Sequence, residues 1–589
     1  MKTVRIPFPR AFLGCCIMVF LLLSSWIGTA SAEMLPEGRR VKWEGNVGVF
    51  GDIMSRTKIR NCVTSDGAHA DGTNTVGQIA ACIGNTSSGG VAYLPAGTYT
   101  ISSQIIVPAN KTLRGAGMGK TTLRGASGFS GSQLIYSGTG SDVGTSYNIT
   151  AGNAKESTRI TTSSAHGFRV GQYVVIDQLQ DPSGNPTISS AGYGGTCRWC
   201  SRENGERPFG QSNLVVRVPS STQMELEIPL YWTYDLTKTP QVSGFPVVSG
   251  AGVEDLTVDN SDSAADYTIQ FQQVANSWLY RVEAISTVQQ MVRVYGAYRI
   301  TIRGCKFHEG NPTSATTGSG SYGPSRGYGI KFENIPSSGN LIENNIFYHH
   351  SMAMADEGPF SGNVFAYNYV TAMYHADSGT AGEAMTALHG AHPYMNLWEG
   401  NYSDGKFGAD SYWGSSSHNT IFRNRVANEA GFTNTNFIMD INGKSQYYNM
   451  IGNVFGEVGT ETQYQFDNVD RSLSTKAIYS LGYTGAGDDG AAGNDPQVAA
   501  TIYRHGNWDS VNNSVMWDGS NSDRAIPGSL YLASRPSWWC AETPIPPIGP
   551  DVSPMTSDIP AKRIYEGGTC SDSVSVIRIP MPPVIKGLR

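Results

Sequence analysis

Five side chains able to move protons, Glu333, Asp356, His389, Tyr412 and Asp440, follow one another at steps of 23, 33, 23 and 28 residues. An imidazole can serve as a base near neutral pH and a phenol as an acid. Paired carboxylates can hold a cation or cleave a glycosidic bond. Groups so far apart in sequence act together only if the chain returns to one face at the same interval.

Such a return is visible between residues 302 and 455. A unit of large apolar residue, two residues, Asn, one residue and apolar residue recurs around Asn345, Asn368, Asn401, Asn424 and Asn453, and Ile302 to Phe307 repeats it with Cys305 in the Asn slot. The anchors are 23 residues apart at 345 to 368 and 401 to 424, with longer steps of 40, 33 and 29. A basal period of 23 suits three short strands of about 3.3 Å per residue separated by turns, and longer steps become wall loops. The predicted fold is therefore all-β, a right-handed parallel β-helix. Asparagines stacked at one bend would satisfy buried amides along the axis, and Cys305 would be a small buried thiol.

Counting back from the anchors sorts the wall into faces. At 15 and 13 residues before them stand Ile330 and Phe332, Ala353 and Ala355, Thr386 and Leu388, and Ala409 and Ser411, which should face inward. Alternation then turns outward the column Glu333, Asp356, His389, Tyr412 and, with one added turn residue, Asp440; a parallel column reads Lys331, Met354, Ala387, Asp410. With coils about 4.8 Å apart, Asp356 should neighbour His389, and Tyr412 should follow. Catalytic roles are assigned to Asp356, His389, Tyr412 and Glu333. Substrate binding is assigned to Lys331, Asp410, Trp413, His392 and Asp440. His349, His350, His375, Asp377 and Glu383 lie in flanking insertions, and Tyr374 with Trp413 offers a sugar-stacking surface.

Upstream, Asp71 to Thr75, Gly89 to Tyr99 and Leu113 to Gly117 resemble the opening of the pectate-lyase-like β-helix superfamily. The resemblance implies a short helix near Val76 to Cys82 that caps the open end of the solenoid. Lyases of that superfamily often use Arg or Lys as base, and the outward column here has no Arg. Gly115 to Thr121 looks like a phosphate loop, but Arg114 stands where the pattern needs Gly, and a tight turn accounts for it.

Two reactions fit the column. In β-elimination on a uronic-acid polymer, His389 is the base and Tyr412 the acid; Asp356 orients the histidine or, with Glu333, holds Ca²⁺. In hydrolysis, paired carboxylates such as Glu333 and Asp356 act on the glycosidic bond. A third reading is a non-catalytic carbohydrate-binding surface protein. The expected partner is a polysaccharide.

The remaining sequence sets the context. Lys2, Arg5 and Arg10, an apolar stretch from Ala11 to Trp26, and Ala30-Ser31-Ala32 read as a signal peptide over 1–32, which implies a secreted or periplasmic chain. A net charge of −6 gives no reason to expect nucleic acid, no later stretch reaches a membrane span, and a monomer is expected. With 69 glycines and 15% charged residues in 589, the composition suits a turn-rich β protein. Local spacing makes Cys62/Cys82, Cys197/Cys200 and Cys540/Cys570 plausible disulfides. The expected organisation is a helical cap and first coils over 33–145, a small inserted β module over 146–240, main coils over 241–458, and an irregular tail over 459–589 packed on the solenoid.

Overall fold

A computed structural model describes residues 34–190, 196–263, 265–310, 327–373, 385–429, 437–467, 476–485 and 493–570. The targeting stretch 1–32 and Tyr374, His375, Asp377 and Glu383 lie outside these.

Parallel strands of mostly apolar and β-branched residues stack coil upon coil into a right-handed β-helix with three walls. One wall runs from Trp278–Ile285 and Thr301–Arg303 through Leu341–Glu343, Val364–Ala366, Leu397–Glu399, Thr420–Phe422 and Asn449–Ile451 to Tyr503–His505. The corner after it is turned by a single left-handed residue: Gly304, Asn344, Tyr367, Gly400, Arg423, Gly452 and Gly506 all have φ between 53° and 66°. The next residue is the anchor.

Each anchor amide bonds the next coil. Cys305 N–H donates to Asn345 Oδ1 at 2.9 Å, and the ladder continues through Asn368, Asn401, Asn424 and Asn453 to Asn507. A second ladder, Asn340, Asn363, Asn396 and Asn419, lies five residues upstream at the preceding corner, again after left-handed residues. At that corner glycine is required once for space as well: a Cβ on Gly362 would sit 2.0 Å from Tyr231 Cζ. Buried side chains stack inside the coils, with Phe365 and Trp398 parallel at 5.2 Å. Cys305 occupies the anchor slot as a buried free thiol, its pKa pushed up to about 12 by burial.

Val76–Asn85 forms the helix at the open end and buries Ile79, Cys82 and Ile83 in the solenoid core. Six antiparallel strands between Ser146 and Gly244 close into a small barrel, whose core extends onto Tyr298, Tyr394 and Met395 of the solenoid. Disulfides join Cys62 to Cys82, Cys197 to Cys200 and Cys540 to Cys570. Among the described residues no helix is long and apolar enough to cross a membrane.

The coils do not stop at residue 458, where an irregular tail was expected. Ala477–Leu481, Tyr503–His505 and Asn507–Asp509 form one more coil on the three walls. Only then does the chain run back, held by buried Arg423, which pairs with Asp551 at 2.7 Å and bonds the carbonyls of Ile526, Pro527 and Ile548. The other end of this return segment covers Glu343 through Tyr531 and Glu399 through the Leu530 amide.

The wall that carries the candidate groups is built from β1 (Gln290–Tyr298), β2 (Tyr328–Glu333), β3 (Met352–Glu357), β4 (Thr386–Gly390), β5 (Phe407–Trp413), β6 (Phe437–Ile441) and β7 (Ala477–Leu481). Each pairs in parallel with the next.

Candidate functional site

Register decides which side chains share this wall. Glu333 pairs with Glu357, and Phe332 with Asp356, which in turn pairs with Leu388. The outward column therefore reads Tyr295, Glu333, Glu357, His389, Asp410, and the parallel one reads Arg293, Lys331, Ala355, Ala387, Gly408, Asp440. The anchor count goes astray because the corner between this wall and the next varies. Glu333 to Asn345, Glu357 to Asn368, His389 to Asn401 and Asp410 to Asn424 span 12, 11, 12 and 14 residues.

Asp356 is consequently not beside His389. It points into the solenoid between Phe332 and Leu388, where burial holds its carboxyl far above the usual range, so it is neutral near pH 7. Its Oδ1 accepts only a long bond from Gly358 N–H at 3.4 Å, and Oδ2 has no hydrogen-bond partner. The Asp356–Glu333 pair expected to hold Ca²⁺ is thereby broken, one carboxyl facing in and the other out. Among the described residues no group of three or more His, Cys, Asp or Glu side chains is placed to hold a metal ion.

An ammonium stands between the outward carboxylates instead. Lys331 Nζ pairs with Glu357 and, at 3.3 Å, with Glu333, which also pairs with Arg293. Burial works against the charge on Lys331, but the two carboxylates outweigh it and raise its pKa. The Lys331 ammonium also lies 4.7 Å from the centre of the Trp199 ring, which belongs to the inserted barrel.

His389 meets Asp410. Nδ1 lies 2.7 Å from Asp410 Oδ2, and a carboxylate can only accept, so Nδ1–H donates and Nε2 carries the lone pair of the neutral ring. Burial disfavours the imidazolium; the Asp410 charge and hydrogen bond outweigh this and raise the His389 pKa above 6.5. Tyr412 N–H donates to the other oxygen, Oδ1, at 2.9 Å, which locks the carboxylate in place. The Tyr412 ring lies 5.4 Å from the imidazole and is 39% exposed, the Trp413 ring at 6.2 Å. Tyr412 is thus not a rung of the outward column but two residues further along β5, folded back over His389.

Three other assignments change. Asp440 belongs to the Lys331 column, buried and 3.8 Å from Lys406 Nζ. His392 is wholly buried under the barrel, its ring nitrogens bonded to Ser415 and Ser417 hydroxyls and its pKa lowered by burial to about 3, so it does not face the groove. His350 is buried too, lowered to about 4, while His349 bonds Glu309 at 2.9 Å. Glu357, Arg293, Arg198 and Trp199 entered no sequence assignment. Glu357 follows Asp356 directly, and alternation must send one of the two inward; the second asparagine ladder was the signal for which.

Residues 59–181 match the family model for rhamnogalacturonase A/epimerase, pectate lyase-like. With the stacked parallel coils, that match settles the architecture. The chain is a pectate-lyase-like parallel β-helix protein. Among solved structures, this β-helix protein is similar to the tailspike protein gp49 from Pseudomonas phage LKA1, at 15% identity over 72% of this chain and 69% of that one, with a TM-score of 0.49. It is also similar to the catalytic unit of a thermostable GH87 alpha-1,3-glucanase from Streptomyces thermodiastaticus strain HF3-3, at 13% identity, 80% and 71% coverage and a TM-score of 0.33. A third likeness is the A-module of the mannuronan C-5 epimerase AlgE4 from Azotobacter vinelandii, at 11% identity, 71% and 95% coverage and a TM-score of 0.30. No curated protein sequence matches the chain. The family match ends before β1, so it assigns no role to the wall that carries His389.

Proposed function

We propose that this protein acts outside the cytoplasm on a uronic-acid-containing polysaccharide and cleaves it by β-elimination at the outward wall of β2 to β5. The observation that carries the reading is the His389–Asp410 pair, with Tyr412 against the same ring. Neutral His389 Nε2 would take the proton from the carbon next to the sugar carboxylate. The electron pair left there becomes a double bond to the neighbouring carbon as the glycosidic C–O bond breaks, and the leaving oxygen takes a proton from the Tyr412 hydroxyl. A positive group at the sugar carboxylate lowers the barrier by stabilising the enolate charge. Asp410 touches no reacting atom in this scheme and is a positioning residue.

Against hydrolysis by a carboxylate pair stands the commitment of Glu333 and Glu357 to Lys331 and Arg293. Asp356, the other member of the pair considered, faces away. The test is incubation with a panel of polyuronates while following ultraviolet absorbance of unsaturated uronides and the appearance of reducing ends. Both should rise together; new reducing ends without absorbance would replace elimination by hydrolysis, and neither would remove the catalytic reading.

A further inference from the structure

The inserted barrel reaches the site through one short loop. Cys197 and Cys200 close a disulfide three residues apart, with Arg198 and Trp199 at its tip. That loop lies across the downstream ends of three successive wall strands. Cys200 forms a parallel bridge with Asn334 and Ser201 N–H donates to Asn334 carbonyl at 3.1 Å, just past Glu333. A Cβ on Gly358, just past Glu357, would be 3.3 Å from the Trp199 carbonyl. Both Cys sulfurs lie about 3.5 Å from the carbonyl of Ala391, two residues past His389. The barrel is clasped beyond Trp413 as well, where Ser415 N–H donates to Ser189 carbonyl at 2.9 Å.

The tip residues join the barrel to the wall. The Arg198 guanidinium lies over Trp199 at 4.7 Å and over Trp413 at 4.8 Å, and Trp413 adjoins His389 and Tyr412. Two indoles against its faces leave in-plane contacts to the edge N–H groups, the geometry that suits a planar carboxylate. The neighbouring charges balance, Arg293 and Lys331 against Glu333 and Glu357, and Arg198 adds a positive charge to this wall.

We infer that the Cys197–Cys200 loop is the second wall of the saccharide groove and that Arg198 recognises the carboxylate of the sugar bound beside His389. This rests on the uronate reading of the site but not on the bond that is cleaved. The short disulfide holds Arg198 in place before ligand arrives, which reduces the ordering cost of binding.

Binding tests it without cleavage. In the His389→Ala protein, calorimetry measures affinity for oligogalacturonate, oligomannuronate and oligoglucuronate and for their methyl esters. At least one free acid should bind more tightly than its ester, and Arg198→Gln should reduce that preference by about tenfold or more, the range of a charge-assisted hydrogen bond, while Arg198→Lys retains part of it. An unchanged preference in Arg198→Gln, equal binding of acid and ester, or no binding to any of the three would overturn the inference. Intact preference in a protein that yields no unsaturated product would instead remove the elimination reading and leave this one standing.

Discussion

Two walls of the same solenoid expose carboxylates at equivalent outward positions, and the chain treats them oppositely. On the wall before the anchor corner, Glu399 is covered by the returning tail, accepts hydrogen bonds from Tyr367 OH and Leu530 N–H at 2.8 Å, and has its pKa raised by burial to about 7. On the β1–β7 wall, Asp410 stays partly exposed beside a histidine and an exposed tyrosine. One set of charges is sealed by the chain's own aromatic tail; the other is paired with groups that exchange protons and is left reachable. The difference lies in what covers a column, not in the column's residue types.

That contrast can be broken by experiment, and the largest effect is expected at the open wall. His389→Ala should cut turnover by roughly 10²- to 10⁴-fold, the usual contribution of a positioned base, with the thermal midpoint nearly unchanged because the side chain is partly exposed. A folded, fully active variant would dissolve the distinction between the walls. At the core beneath both, Trp398→Ala should cost about 3–5 kcal/mol in denaturant unfolding, since its ring is wholly buried and stacked on Phe365.

The covered wall should show its own pH signature. Glu399 binds its proton more tightly folded than unfolded, so its contribution to stability is complete below about pH 4.5 and is lost as pH rises through about 7. The loss is about 3 kcal/mol, at 1.36 kcal/mol per pKa unit. Glu399→Gln should flatten that slope in unfolding measured from pH 4 to 8, and an unaltered slope would mean that the tail does not seal this group.

The smallest effects separate two aspartates. Asp410 raises the His389 pKa, so activity that needs the neutral ring should fall as pH drops through a midpoint above 6.5, and Asp410→Asn should move that midpoint down by roughly one unit. Asp356 is neutral and faces the interior, so Asp356→Asn should leave turnover within about twofold and the pH profile in place. A large loss of activity in Asp356→Asn would reverse the assignment of the two faces.

The repeat around Asn345, Asn368, Asn401, Asn424 and Asn453 was legible because a stacked amide tolerates no substitute that cannot both donate and accept; even the exception, Cys305, was readable as a small buried rung. The second ladder at Asn340, Asn363, Asn396 and Asn419 was equally visible at the same spacing and went unused. It sits at the corner whose length varies, and it brackets the wall from the nearer side.

The amino-acid sequence alone determined the solenoid, its period, the wall on which His389 lies and the cysteine pairs, because local bends and stacked amides repeat regardless of what surrounds them. Only the tertiary structure decided that Asp410 rather than Asp356 meets His389, that Glu357 takes the outward place, and that Arg198 and Trp199 arrive from the barrel. A strand reverses every side chain with a one-residue slip. The lengths of the turns, and a module folded across them, are settled by packing between distant segments and leave no periodic trace in the chain.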